Sequence, residues 1–148
     1  MSKDIITDGG RVLANKLDIN IFNNGIRCIE VGKLTNEIIQ FLNLQRSPGS
    51  IVLWDDRLEY IEKHKADFKT EEDYYRHILE IPNIIEKPDY LGLHPKDNSI
   101  QFIKRIDEIM LVGVRIKNIG SLSIRSSYPI SQDQLNHYIA SNTAWKFK

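Results

Sequence analysis

Cysteine is almost missing from this chain. Cys28 is the only one in 148 residues, so no disulfide can close within the chain and no multi-cysteine metal site can form. A reducing compartment is the natural reading, with Cys28 serving as a small core residue. Long hydrophobic runs are missing too: no apolar stretch approaches the ~20 residues that a membrane helix needs. Net charge is absent, because 20 Lys and Arg balance 20 Asp and Glu. That argues against a strongly basic protein that coats nucleic acid, but it leaves room for a local basic patch. There is no Walker loop, GxGxxG, HExxH, GxSxG or cysteine pair. The four histidines, His64, His77, His94 and His137, show no metal-ligand spacing, so neither a metal centre nor a cofactor is expected. The opening MSKDIITDGGRV lacks the basic and apolar regions of a secretion signal. The expectation is a soluble, cytoplasmic chain with no membrane partner.

What is present is a globular composition, 41% hydrophobic, which is enough for one ordinary core. Gly9-Gly10 and weak periodicity mark residues 1–16 as an N-terminal arm, leaving 17–148 as a single α+β domain. The charge is segregated. Residues 1–53 carry six basic and five acidic side chains, residues 54–93 six and eleven, and residues 94–148 eight and four. A basic final third suits a phosphate-bearing partner; the bland alternative is a solvated surface whose charges balance across the fold.

The apolar patterning places the elements. Two runs flank Asn23-Asn24-Gly25, a pair of residue types that tolerate the positive φ of a tight hairpin. Thr35 can cap a short helix over TNEIIQFLNL, and Pro48-Gly49 separates it from the strand SIVLW. Asp55 and Asp56 can cap a helix through WDDRLEYIEKHKADF, with His64 at the margin of its apolar arc. Thr70 and Asp73 have capping-box spacing before YYRHILEI, and Pro82 and Pro88 keep the next segment short. From Ser99 onward the pattern is β: SIQFIKRI, IMLVGVRIK and LSIRSSYPI form an antiparallel meander, and Ser131 starts a last helix. Strict alternation in the third run puts Leu122, Ile124, Ser126 and Tyr128 on one face. Ser123, Arg125 and Ser127 fall on the other. The fold class is α+β, helices packed on a central antiparallel sheet.

The residues able to carry chemistry are a helix-borne imidazole, basic side chains and strand hydroxyls. Together they suit RNA cleavage without a metal. A base takes the 2′-hydroxyl proton, that oxygen attacks phosphorus, and an acid protonates the departing 5′-oxygen. A fixed Arg or Lys and hydroxyl donors meet the charge that builds on the phosphoryl oxygens. Each residue also has a plain structural reading. His64 can close the edge of a helix contact, Arg125 can be one charge on an exposed strand, and the serines and Tyr128 can serve packing. His77 reads as structural and His137 as surface, while His94 in the LHPKD turn stays open.

The order VGKL, SIVLW, LEYIEKHKADF, ILEIPNIIEKPDYLGLHPKDNSIQFIKRID, IMLVGVRI and SIRSSYPIS resembles the phage-type nucleases of the barnase–EndoU–colicin–RelE superfamily (PBECR) over roughly residues 31 to 138. The resemblance implies a BECR-like nuclease fold and a metal-independent endoribonuclease with no cofactor, phage- or toxin-associated. By motif position it implies His64 as the proton-transfer group. It places Arg125, Ser126, Ser127 and Tyr128 in the basic and hydroxyl-bearing strand motif. Lys96 and Lys104 would steer the RNA backbone. Lys63 stands before His64 where arginine is more usual. Because Arg125 and Ser127 share a parity, Ser127 is the preferred hydroxyl over Ser126. RNA is the implied partner, and a neutralising immunity or antitoxin protein is expected if the module acts as a free toxin. The alternative is a catalytically inactive nuclease-like module that binds RNA or a host protein. It is favoured by the neutral net charge, the acidic middle and the lack of a second well-placed histidine.

Overall fold

The β-rich half forms the three antiparallel strands that its sequence predicts. In the computed structural model, which describes residue 17 and residues 19–147, Ser99–Arg105 (β4), Ile109–Arg115 (β5) and Leu122–Ile130 (β6) pair antiparallel in chain order. The expected arm over 1–16 lies outside the described residues. Among those residues seven strands form one sheet. The others are Cys28–Leu34 (β1), Gly49–Trp54 (β2), Tyr90–Leu93 (β3) and Ala144–Lys146 (β7), in the order β1-β2-β6-β5-β4-β3-β7. The pairing is antiparallel except between β2 and β6, which run parallel. A long excursion separates those two strands in sequence, so no tight turn forces them to oppose each other.

The proposed hairpin around Asn23-Asn24-Gly25 is replaced by a 3₁₀ helix over Ile19–Asn24 that leads into β1. Gly25 does take a positive φ of 82°, but here that conformation ends a helix instead of turning a hairpin. The turn signal was local and correct. The element before it was not specified by the turn. The strands β3 and β7, too short to show alternation, pair with each other and extend the sheet beyond β4.

Helices Asn36–Leu42 (α1), Asp55–Ile61 (α2), Glu71–Ile78 (α3), Ile81–Glu86 (α4) and Gln132–Ala140 (α5) complete the architecture, which is α+β. Thr35 caps α1 and Thr70 caps α3, their hydroxyls accepting from the Ile38 and Asp73 amides at 3.3 and 3.0 Å. Ser131 and Gln134 form a full capping box on α5. Trp54, not Asp55 or Asp56, is the cap residue of α2. Both aspartates lie inside its first turn, where negative charge favours the helix N-terminus. Beyond Ile61 the helix tightens to 3₁₀ geometry over Glu62–Asp67.

The main core fills one sheet face, where Ile100, Phe102, Met110, Val112, Val114, Leu122 and Ile124 meet Ile38, Leu42, Ile78, Ile84 and Ile85 from α1, α3 and α4. A smaller cluster on the other face packs Ile103, Ile109, Leu111 and Ile130 beneath Leu135 of α5. Each such side chain contributes roughly 1.5–3 kcal/mol on burial. That smaller cluster covers only part of its face, and the uncovered part becomes the site.

His77 is structural, as its surroundings suggested. It is fully buried, its Nδ1–H donates to the Asp73 carbonyl at 2.7 Å, and its Nε2 accepts from the Asp107 and Glu108 amides at 3.3 and 2.9 Å. Arg76 bonds both Asp73 and Asp107, so α3 is clamped to the β4–β5 turn. Truncation by His77→Ala leaves two backbone N–H groups without an acceptor. It is expected to cost about 2–4 kcal/mol in urea unfolding, with the m-value unchanged.

Candidate active-site cleft

One extra residue in β6 sets the site. Val114 pairs with Ile124 and Gly113 with Ser126, so Arg125 has no partner residue on β5. This is a β-bulge, two residues opposing one. It reverses the parity of everything after it. Ile124 stays in the core, but Ser126 and Tyr128 now share the opposite face with Arg125. Ser127 comes to lie opposite Val112, 1% exposed, with its hydroxyl unpartnered. The preference for Ser127 beside Arg125 is therefore corrected: Ser126 is the hydroxyl that accompanies it.

The uncovered sheet face forms a cleft of about 230 Å³. Its floor comes from three adjacent strands: Ser99 and Gln101 of β4, Leu111 and Gly113 of β5, and Arg125, Ser126 and Tyr128 of β6. Register puts Gln101, Gly113 and Ser126 in one row across those strands. Gly113 keeps the row open, because a Cβ there would sit 2.9 Å from Ser126 Oγ. Tyr60 and His64, from α2 and the turn after it, and His94 and Asp97, from the β3–β4 turn, complete the lining.

His64 reaches the cleft from the 3₁₀ turn, not from a regular α-helix. In 3₁₀ geometry side chains at i and i+3 eclipse, which brings Asp67 over His64. The contact is 2.8 Å from His64 Nδ1 to Asp67 Oδ2. A carboxylate only accepts, so Nδ1 carries a hydrogen, and in the neutral ring Nε2 is the nitrogen with the lone pair. The ring lies against Tyr128 with centroids 5.1 Å apart. Burial, followed by the neighbouring Tyr138 and Asp97, pushes the Tyr128 phenol up. It therefore remains an O–H donor at neutral pH.

Arg125 Nη2 stands 3.5 Å from Asp97 Oδ2, and its carbonyl accepts from Arg57 at 3.3 Å. His94, whose role the sequence left open, opens the turn from β3 to β4. Its Nδ1 accepts from the Lys96 and Asp97 amides at 3.1 and 2.9 Å. A second imidazole thus stands in the cleft, which removes one argument for a binding-only module.

Lys96 and Lys104 are not among the side chains lining the cleft. Lys96 is exposed and contributes its backbone amide to the His94 turn. Lys104 is tied to the Lys87 carbonyl at 2.9 Å and lies 3.5 Å from Asp89. Asp67, His94, Asp97, Tyr60, Ser99 and Gln101 enter the cleft or orient its groups without having been assigned a role from the sequence. Only Asp67 carried a readable signal there, as the acid three residues after a helix histidine. Among the described residues no three His, Cys, Asp or Glu side chains gather to hold a metal ion.

The chain is a nuclease-like α+β protein. More narrowly, residues 29–137, well over half of its length, match the family described as phage-Barnase-EndoU-ColicinE5/D-RelE like nuclease3 (PBECR3), and the chain belongs to that family. No curated protein and no solved structure matches it.

The bulge makes neighbouring serines inequivalent. Ser127→Ala is expected to leave function intact and to keep or raise the thermal midpoint, because it removes a buried hydroxyl without a partner. Gly113→Ala is expected to preserve the fold while turning Ser126 Oγ out of its position. Circular dichroism melts and nuclease assays on the two variants check this; loss of activity in Ser127→Ala with wild-type activity in Gly113→Ala would refute the assignment.

Proposed function

We propose that this protein is an endoribonuclease that cleaves RNA by 2′-hydroxyl attack without a metal ion. One observation carries the reading: His64 with a free Nε2, the Arg125 fork, the Ser126 hydroxyl and the protonated Tyr128 phenol converge on one cleft. Membership in a nuclease family supports the general class.

His64 Nε2 accepts the proton of the 2′-hydroxyl while Asp67 steadies the ring. The O2′–P bond forms as the P–O5′ bond breaks, and the proton passes on to the departing 5′-oxygen. The products are a 2′,3′-cyclic phosphate and a 5′-hydroxyl, and the imidazole is returned neutral. Arg125 presents a planar fork to two phosphoryl oxygens, while Ser126 and Tyr128 donate to the same group. Substrate phosphate must take the place that Asp97 holds beside Arg125. The same carboxylate favours the second reading, a module that binds RNA or a host protein without cutting, because it already neutralises the main anion ligand. If the module acts as a free toxin, a neutralising partner would cover this cleft.

The purified protein is expected to cleave RNA in the presence of EDTA and to leave a cyclic phosphate, while a strand with a single 2′-deoxy linkage at the cut site stays whole. His64→Ala should lower kcat/KM by about 10²–10⁴-fold without unfolding the chain. Equal cleavage of the deoxy linkage would overturn the mechanism. Stable RNA binding with no product from any RNA pool would establish the binding module instead.

A further inference from the structure

The two imidazoles of the cleft are held in opposite tautomers. His64 gives its Nδ1–H to Asp67, which leaves Nε2 as an acceptor. His94 does the reverse. Its own amide bonds the Ser99 carbonyl at 3.0 Å, closing a turn whose Lys96 and Asp97 amides both point at Nδ1. A nitrogen that accepts two N–H bonds carries no hydrogen, so the hydrogen of His94 resides on Nε2. A proton on Nδ1 would break both turn bonds, and loss of the Nε2 proton would leave an imidazolate. The ring is thus built to donate a hydrogen bond and to keep its proton.

We propose that His94 is a second catalytic residue of the cleft, a neutral Nε2–H donor to a non-bridging oxygen of the scissile phosphate, with His64 as the base. The inference rests on the ribonuclease reading for its chemistry. Two further observations support it. Asp97 Oδ2 lies 3.9 Å from His94 Nε2 and 3.5 Å from Arg125 Nη2, so an anionic oxygen is already drawn to the space between these two donors. The Ser99 hydroxyl, 4% exposed, lines the same cleft and has no partner. An unpaired buried hydroxyl is costly, and rotation of the Ser99 side chain toward the cleft would let a bound anion or its water meet that need. As the transition state gathers charge on the phosphoryl oxygens, a donor fixed by backbone bonds needs no reorganisation to meet it.

The test uses a variant that separates the turn from the donor. In His94→Asn, Oδ1 can take the place of Nδ1 as acceptor for the two turn amides, while the Nε2–H is lost. The expected result is a fall in kcat of about 100-fold, with KM for RNA and the thermal midpoint near wild type. A single phosphorothioate diastereomer at the cut site should slow the wild type and slow His94→Asn less. Wild-type kcat in His94→Asn would overturn the proposal. A second measurement is independent of turnover: nitrogen-15 NMR of the histidine rings during titration with inorganic phosphate. His94 should show an N–H at Nε2 and a bare Nδ1, His64 the opposite, and phosphate should move the His94 Nε2–H signal. A hydrogen on His94 Nδ1, or an Nε2–H signal indifferent to phosphate, would overturn the donor role even if RNA is cut. If the wild type cuts no RNA, the ribonuclease reading falls by itself, and the phosphate titration still decides whether His94 is an anion donor.

Discussion

The cleft depends on the one residue by which β6 is longer than the register of β5 allows. Without the bulge at Arg125, Ser126 and Tyr128 would point into the core with Ile124, and the face above β4 and β5 would keep Arg125 but lack both of these hydroxyls. A bulge costs ladder pairing at one position. Here that cost is offset by Val112, Val114 and Ile124 on the core side, which continue the apolar layer on either side of the irregularity. Gly113 is the counterpart on β5, because the strand facing the bulge has to leave space for what the bulge delivers.

The walls follow from a different kind of constraint. His64 and His94 are both oriented by residues three positions later in the chain, Asp67 and Asp97, yet with opposite outcomes. Asp67 offers a carboxylate to Nδ1, whereas Asp97 offers an amide N–H to Nδ1. One side chain and one backbone group therefore assign the two neutral tautomers, with Nε2 bare on His64 and carrying the hydrogen on His94. Neither ring needs a metal or a long-range partner to be held. The 3₁₀ turn carrying His64 runs beside β6, and the turn carrying His94 feeds directly into β4. Both walls are thus anchored to strands that also supply the floor.

Much of the scaffold was legible because its signals are local. Thr35, Thr70 and Ser131 cap helices where their spacing places them, and the three C-terminal strands show their alternation and short links openly. Where the reading failed, the signal served two outcomes equally. Gly25 takes the positive φ that either a hairpin or a helix end requires. Lys104 looks like a free cation in the sequence, but it is consumed by the Lys87 carbonyl and Asp89. YLGL and AWK are too short for a period to emerge, and each becomes a strand because the other, or β4, lies beside it.

The sequence by itself determined the class of elements, the capped helices, the meander, and the pool of groups that can move protons or hold phosphate. It also carried the family pattern, since that pattern is an order of short local motifs. Tertiary structure alone decided which groups meet. Strict alternation on β6 favours Ser127, but pairing with β5 has one residue too many, and the surplus turns Ser126 outward and Ser127 inward. His94 joined the site for the same reason that no local pattern could announce it: a turn's position over a sheet is set by which strands it connects and where they lie.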